Sequence, residues 1–512
     1  MRAGTVIKRS AIFLHRWLGV ALCLLFLLWF PSGIGMMYWD FPGVTAADRL
    51  ERAAPLDPDA IRLSPAEAYA SLGLIDPPAQ VTLNSFDGRP VYRFRDRDGE
   101  SIVYADTGEQ QIEIPDAMLL RIASAWTRQP SAGAAVSAVT EIDQWTVGGA
   151  LRALRPLWKY SWPNGEQVYV AGATGEVVQY TTTGSRLGAY LGPIPHWFYF
   201  TPLRQYQTTW SQTVIWTSGI GTVAAILGVI VGIWMYSPRQ RYRYADAPTS
   251  IPYRGQKRWH TVFGLIFGLG AVTWAFSGML SMDPFPRPTG GRRPASIAQA
   301  LRGGAPMSAF AARDPRDALR LIGTGDVREL EFAALAGEPV YFATLGAGDS
   351  RIVPLAGTPI AALDEERILD VAGRALQPDA ILEATRLDVY DAYYIDRRRE
   401  RPLPVIRVTM ADEARTRYYI DPKSARVVGI YGAGGWVNRW LYHGLHSLEF
   451  PWLYNYRPLW DIVVITFMVG GTALCVTSLI LAWRVLGRTL ARARSGRRVP
   501  VPEDLILETD RA

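Results

Sequence analysis

Histidine is the residue type on which this 512-residue chain concentrates its potential for redox-metal chemistry, and it occurs only five times. His443 and His446 lie in LYHGLHSLEFPWLYNYRPLW, where a polar stretch meets an apolar run beginning near Leu459. A second copy, PHWFYFTPLRQYQTTW, surrounds His196. Sliding the chain by 250 residues matches His196 to His446, Phe200 to Phe450, Leu203 to Leu453, Tyr206 to Tyr456 and Trp210 to Trp460. His15 and His260 stand at the start of two further apolar runs. Neutral imidazole is a common metal ligand, and a pair of rings on facing helices is a standard way to grip a metal inside a bundle. The plainer reading is an interfacial side chain beside Trp at a helix end. Recurrence in register, and the lack of histidine in the long polar regions, favour ligation.

The elements that must position these rings are hydrophobic. Residues 12–38, 211–236, 261–282 and 459–485 are each long and apolar enough to cross a bilayer, which needs about 20 residues. Basic residues flank them on one side. Lys8 and Arg9 precede the first run, and Arg239, Arg241, Arg243, Arg254, Lys257 and Arg258 fall between the second and third. A basic tail follows the fourth. The positive-inside rule makes these segments cytoplasmic and exports the two large polar regions, 39–195 and 283–440. The net charge of +7 therefore marks orientation rather than a nucleic-acid partner. The first run is longer than a signal-peptide core and no cleavage site follows at the right distance, so it is expected to stay as an anchor. Cys23 and Cys475 both lie inside apolar runs, outside any Cys-x-x-Cys-His context, which excludes exported disulfides and thioether-linked haem.

An offset of 245 residues superposes the first and third runs, matching His15 to His260, Gly19 to Gly264, Trp29 to Trp274, Ser32 to Ser277 and Gly33 to Gly278. The expected fold is a tandem repeat: a four-helix membrane bundle with two exported α+β regions, each of about two small modules. The modules are read from helix-like PAEAYASLG, DAMLLRIASAW and EERILDVAGRAL beside strand pairs such as VYRFRD with SIVYADTG. Residues 284–294, rich in Pro, Gly and Arg, read as a linker, and the tail beyond Arg497 as frayed. The glycine-rich GIYGAGGW at 429–436 lacks a βαβ context, so no dinucleotide site is expected there.

HRWLGV at the first span, the paired HxxxF segments, YRPLWDIV at the fourth and YYIDPKSARVVGIY before it resemble the PepSY-associated transmembrane family, which includes inner-membrane ferric-siderophore reductases. The resemblance implies PepSY-like modules outside and two b-type haems within, carrying electrons from a quinol or cytoplasmic reductase to a ferric siderophore in the periplasm. On that reading His15 and His260 ligate an inner haem iron, and His196 and His446 an outer one, with His443 as alternate. Arg16 and Arg258 inside, and Arg204 and Arg457 outside, are candidates for the propionates. Trp197, Tyr199, Trp452, Tyr454 and Tyr456 form the expected docking rim. The glycine pairs Gly228 with Gly232, Gly264 with Gly268, and Gly470 with Gly471 would give room for a macrocycle or for helix packing. A haem-free receptor for a peptide or protease, and a siderophore transporter, are the rival readings.

Overall fold

The computed structural model describes residues 3–96, 99–244, 247–285, 295–323, 325–377, 379–396 and 398–494. The expected linker lies outside them from residue 286 to 294, as does the tail beyond 497. The chain divides into two units, one of residues 1–40, 187–285 and 440–512, the other of 41–186 and 286–439.

The first unit holds four long helices, Ala3–Tyr38, Gln207–Met235, Gly255–Leu280 and Leu459–Arg494. Their apolar windows have mean hydropathies from 1.7 to 2.2 and all are long enough to cross a membrane. The first, third and fourth helices run beyond the apolar segments into basic sequence, because LARAR and similar stretches are good helix formers. Large apolar side chains such as Leu24, Trp216, Leu269 and Ile462 are exposed, as lipid-facing residues are. The first helix packs on the second and fourth, and the third packs on the same two, so the helices close a ring. Ahead of the second and fourth helices stand short helical turns, Pro193–Trp197 then Thr201–Arg204, and Leu445–Ser447 then Pro451–Tyr454. Phe198 and Leu448 end the two histidine turns in the left-handed region. Each turn is tied to the helix that follows it, by Trp210 Nε1 donating to Trp197 O at 2.7 Å and Trp460 Nε1 to Ser447 O at 2.9 Å. The basic loop between the second and third helices includes a small hairpin, Tyr242–Tyr244 with Ala247–Thr249.

Gly470 and Gly471 serve close packing between helices. A Cβ there would lie 2.4 Å from Phe267 and 2.2 Å from Phe30, so these glycines accept neighbouring rings. Gly268 meets Val229 and Gly232 meets Leu265 in the same way, through ordinary helix packing.

The second unit contains a seven-stranded antiparallel sheet and two four-stranded sheets. Helix Pro65–Ala70, opened by a Ser64–Glu67 capping box, and strands Arg89–Arg95 and Glu100–Tyr104 fall where the sequence pattern puts them. So do helices Asp116–Thr127 and Glu365–Ala375. The seven-stranded sheet draws from both polar regions, because strand Gln80–Phe86 pairs with strand Glu329–Leu335, Leu83 opposite Leu330 and Thr82 opposite Glu331. The two regions, read from sequence as separate bodies, thus share one sheet. One face buries Leu83, Tyr92, Leu330, Phe332 and Tyr341. On the other, Phe342 and Ile352 pack with helix Glu365–Ala375 and strand Val405–Met410.

Candidate functional site

Four of the five histidines meet in two pairs inside the first unit. His15, on the first helix, and His260, on the third, have ring centroids 6.1 Å apart. His196 and His446, on the short turns before the second and fourth helices, are 5.9 Å apart. Ser32, which touches His196, follows His15 by seventeen residues of helix, so the pairs lie at levels separated by about 25 Å.

Each ring is oriented by the other long helix of its own half. His15 Nδ1 lies 3.0 Å from Ala224 O, a carbonyl that only accepts, so this nitrogen carries the hydrogen. His196 Nδ1 lies 3.1 Å from Ser32 Oγ and 3.3 Å from Trp29 O. The Ser32 hydroxyl already donates along its helix to Leu28 O and Trp29 O, and so accepts from the ring. In the second half, His446 Nδ1 lies 3.0 Å from Ser277 Oγ, whose hydrogen goes to Trp274 O. His260 Nδ1 lies 3.3 Å from both Thr477 Oγ1 and Ser478 Oγ, and both hydroxyls donate to Leu474 O. All four rings are thereby held as the Nδ1–H tautomer, and no hydrogen bond occupies Nε2 among the described residues. This is the arrangement that fixes and strengthens a metal-binding imidazole.

The spacing suits a metal centre between the rings. A metal–imidazole bond of about 2 Å on each side, plus a ring radius of about 1 Å, sets two opposed ligand rings about 6 Å apart. Gly228 supplies the close approach for the inner pair, since a Cβ there would lie 2.6 Å from His15 Cε1. Aromatic rings fill the bundle between the two levels: Phe26 to Phe30 at 6.3 Å, Phe30 to Trp274 at 5.8 Å and Trp274 to Phe467 at 6.2 Å. Two buried donors, Arg204 Nε and Trp274 Nε1, lack a hydrogen-bond partner among the described residues. Donors of this kind suit the acidic and polar periphery of a cofactor.

The remaining candidates separate. His443 stands outside the outer pair, its Nδ1 3.8 Å from Glu449 Oε2. Arg204 is buried, hydrogen-bonded to Gln207, with its guanidinium over Tyr199 at 5.2 Å and Trp210 at 4.4 Å. Arg457 is engaged by Asp461, with an Nη2–Oδ1 distance of 2.7 Å. Arg258 donates to Thr249 at 2.8 Å, and Arg16 lies over Trp17 and Phe13. The expected docking rim is not one surface. Tyr454 is buried against Trp460, and Trp197 and Tyr199 are half-buried against each other. Only Trp452 and Tyr456 of that set are exposed. Residue spacing alone does not mark Thr477 and Ser478 as partners of a ring, whereas Ser32 and Ser277 match each other at the 245-residue offset.

The second unit has its own cleft of about 920 Å³, lined by charged residues including Arg93, Arg302, Arg328, Arg426, Glu329 and Glu331. A family model described as the PepSY-associated TM region matches residues 12–319. No curated protein matches the chain.

Proposed function

The chain belongs to the PepSY-associated TM region family, and on that premise we propose that it is a di-haem electron-transfer protein of the bacterial inner membrane. In this reading it reduces a ferric siderophore on the periplasmic side and releases ferrous iron. The observation that carries the proposal is the doubled histidine pair: rings 6.1 and 5.9 Å apart, all four held through Nδ1. Haem b held by His15 with His260, and by His196 with His446, would supply a one-electron couple.

The chain's own residues do the rest. His15 and His260 present Nε2 lone pairs near the cytoplasmic level, and His196 and His446 do so near the exported level. Ser32, Ser277, Thr477, Ser478 and the Ala224 carbonyl hold the rings from turning, which keeps them basic and aligned. Phe30, Trp274 and Phe467 exclude water from the space between the levels. A quinol or a cytoplasmic reductase is the proposed donor. Siderophores bind ferric iron far more tightly than ferrous, so one electron loosens the metal without cutting the chelator.

The tandem-repeat reading belongs to the same proposal, with PepSY-like modules outside. It draws on the matched hairpins closed by Gly88 and Gly337, both at positive φ, and on the reciprocal pairing around Thr82 and Glu331. The charged cleft of the second unit is what a haem-free receptor would use, and it gives that rival its footing. A transporter finds less support, because Asp461, the acidic residue at the start of the fourth span, is neutralised by Arg457.

Purified protein from haem-replete cells should show a Soret band that shifts on dithionite reduction and should hold two haems per chain. His15→Ala with His260→Ala should remove one haem and His196→Ala with His446→Ala the other. Anaerobic addition of a ferric siderophore should reoxidise the reduced protein. Colourless parent protein, or variants with undiminished haem, would overturn the reading.

A further inference from the structure

The two halves diverge at one point on the outer histidine turns. At the 250-residue offset, Gly192 and Pro193 stand opposite Tyr442 and His443, and Tyr199 stands opposite Glu449. Gly192 and Pro193 are buried, and neither carries a π ring or a polar side-chain atom. The second-half segment Val437–Gly444 is a π-helix, a rare wide turn that recurs at functional sites. It brings the Tyr442 ring against two histidines at once, 5.5 Å from His446 and 4.6 Å from His443. The His443 side chain is 43% exposed, while that of its neighbour Glu449 is only 14% exposed. A continuous set of rings therefore leads from the outer histidine pair to the surface on the second-half side, whereas the matching first-half positions, Gly192 and Pro193, carry no ring.

We propose that Tyr442 and His443 form the electron exit of the protein, with His443 as the group that contacts the acceptor. The inference rests on the di-haem reading above and adds the face and the residues by which the acceptor is met. The acceptor is an iron(III) chelate with anionic oxygen donors. An imidazole N–H of His443 donates to one of those oxygens, with Glu449 Oε2 3.8 Å from its Nδ1. One electron passes from the reduced centre of the His196–His446 pair to ferric iron, leaving that centre oxidised and the iron ferrous. Tyr442 serves as the intervening packed medium and is not itself oxidised, and no covalent bond of the protein changes.

The test compares the full-length parent with Tyr442→Leu, His443→Gln and the first-half control Tyr206→Leu. Optical redox titration of all four should give unchanged bands and midpoint potentials. Dithionite-reduced protein is then mixed in stopped flow with a ferric tris-hydroxamate chelate, and calorimetry follows binding of the redox-inert gallium(III) form. Reoxidation should slow about tenfold in Tyr442→Leu and His443→Gln, and chelate affinity should fall about tenfold in His443→Gln alone, the worth of one charge-assisted hydrogen bond. Tyr206→Leu should match the parent. Parental reoxidation rates in both exit variants would overturn the proposal, and so would loss of a haem band in His443→Gln, which would make that residue a ligand. A colourless parent would instead overturn the di-haem reading beneath it.

Discussion

His446 Nδ1 lies 3.0 Å from Ser277 Oγ, and the direction of that hydrogen bond follows from the hydroxyl's other contact, because Ser277 spends its own hydrogen on Trp274 O. The ring must donate, which leaves Nε2 with its lone pair free on the opposite side of the imidazole. Ser32 and His196 repeat the relationship at 3.1 Å. Two small hydroxyls on the first and third helices, which stand diagonally in the ring of four, thus choose the tautomer of both outer rings.

Removing those hydroxyls should loosen the outer centre without abolishing it. Ser32→Ala with Ser277→Ala is expected to lower haem affinity on the outer side by about 10- to 100-fold, the usual effect of losing a partner behind a metal ligand. Haem transfer to apomyoglobin, followed optically, reads this directly. Retention equal to the parent would show that the hydroxyls do not support the rings.

The inner pair should depend on the absence of one side chain. In Gly228→Ala the new Cβ would lie 2.6 Å from His15 Cε1, so the ring must leave its position. Gly264→Ala places its Cβ 3.9 Å from Leu474 Cδ1, an ordinary contact. Haem content is therefore expected to drop by one per chain in the first variant and to stay at two in the second.

In the second unit, burial and the neighbouring Glu331 push the Glu329 carboxyl above the usual carboxylate range, against the opposing influence of Asn84, Arg426 and Arg302. A raised folded-state value means that the associated stability is complete below the unfolded-state value and is lost as pH rises through the folded one. Glu329→Gln should therefore slow amide exchange in strands Gln80–Phe86 and Glu329–Leu335 at pH 7 to 8 and change little near pH 4. Faster exchange at neutral pH would contradict this account.

The seam between the two polar regions should be sensitive to truncation of one buried side chain. Leu83 and Leu330 face each other across it and are both fully buried. Leu83→Ala should cost about 2–5 kcal/mol of local stability. Pulse proteolysis in urea should show both polar regions becoming cleavable together, because they share one sheet.

Much of this organisation can be read along the chain. The four helices are visible as apolar runs, and His15, His260, His196 and His446 as in-register positions at their ends. Asp116–Thr127 and Glu365–Ala375 follow from local periodicity. The surroundings of Gly470, Gly471, Arg457 and Tyr454 are fixed by packing. The distant rings of Phe267 and Phe30 fill the glycine gaps, while local partners, Asp461 four residues on and Trp460 six residues on, take the arginine and cover the tyrosine.

The sequence by itself determined which segments are apolar enough to enter a bilayer, how basic residues flank them, and that histidine is kept for their ends. These are properties of composition and spacing, which no long-range contact alters. Only the tertiary structure decided that His446, and not His443, faces His196, since a π-helical segment shifts side chains around the axis in a way that residue spacing does not reveal. It also decided that strand Gln80–Phe86 pairs with strand Glu329–Leu335, because the partner of a sheet edge is chosen by packing across the whole unit.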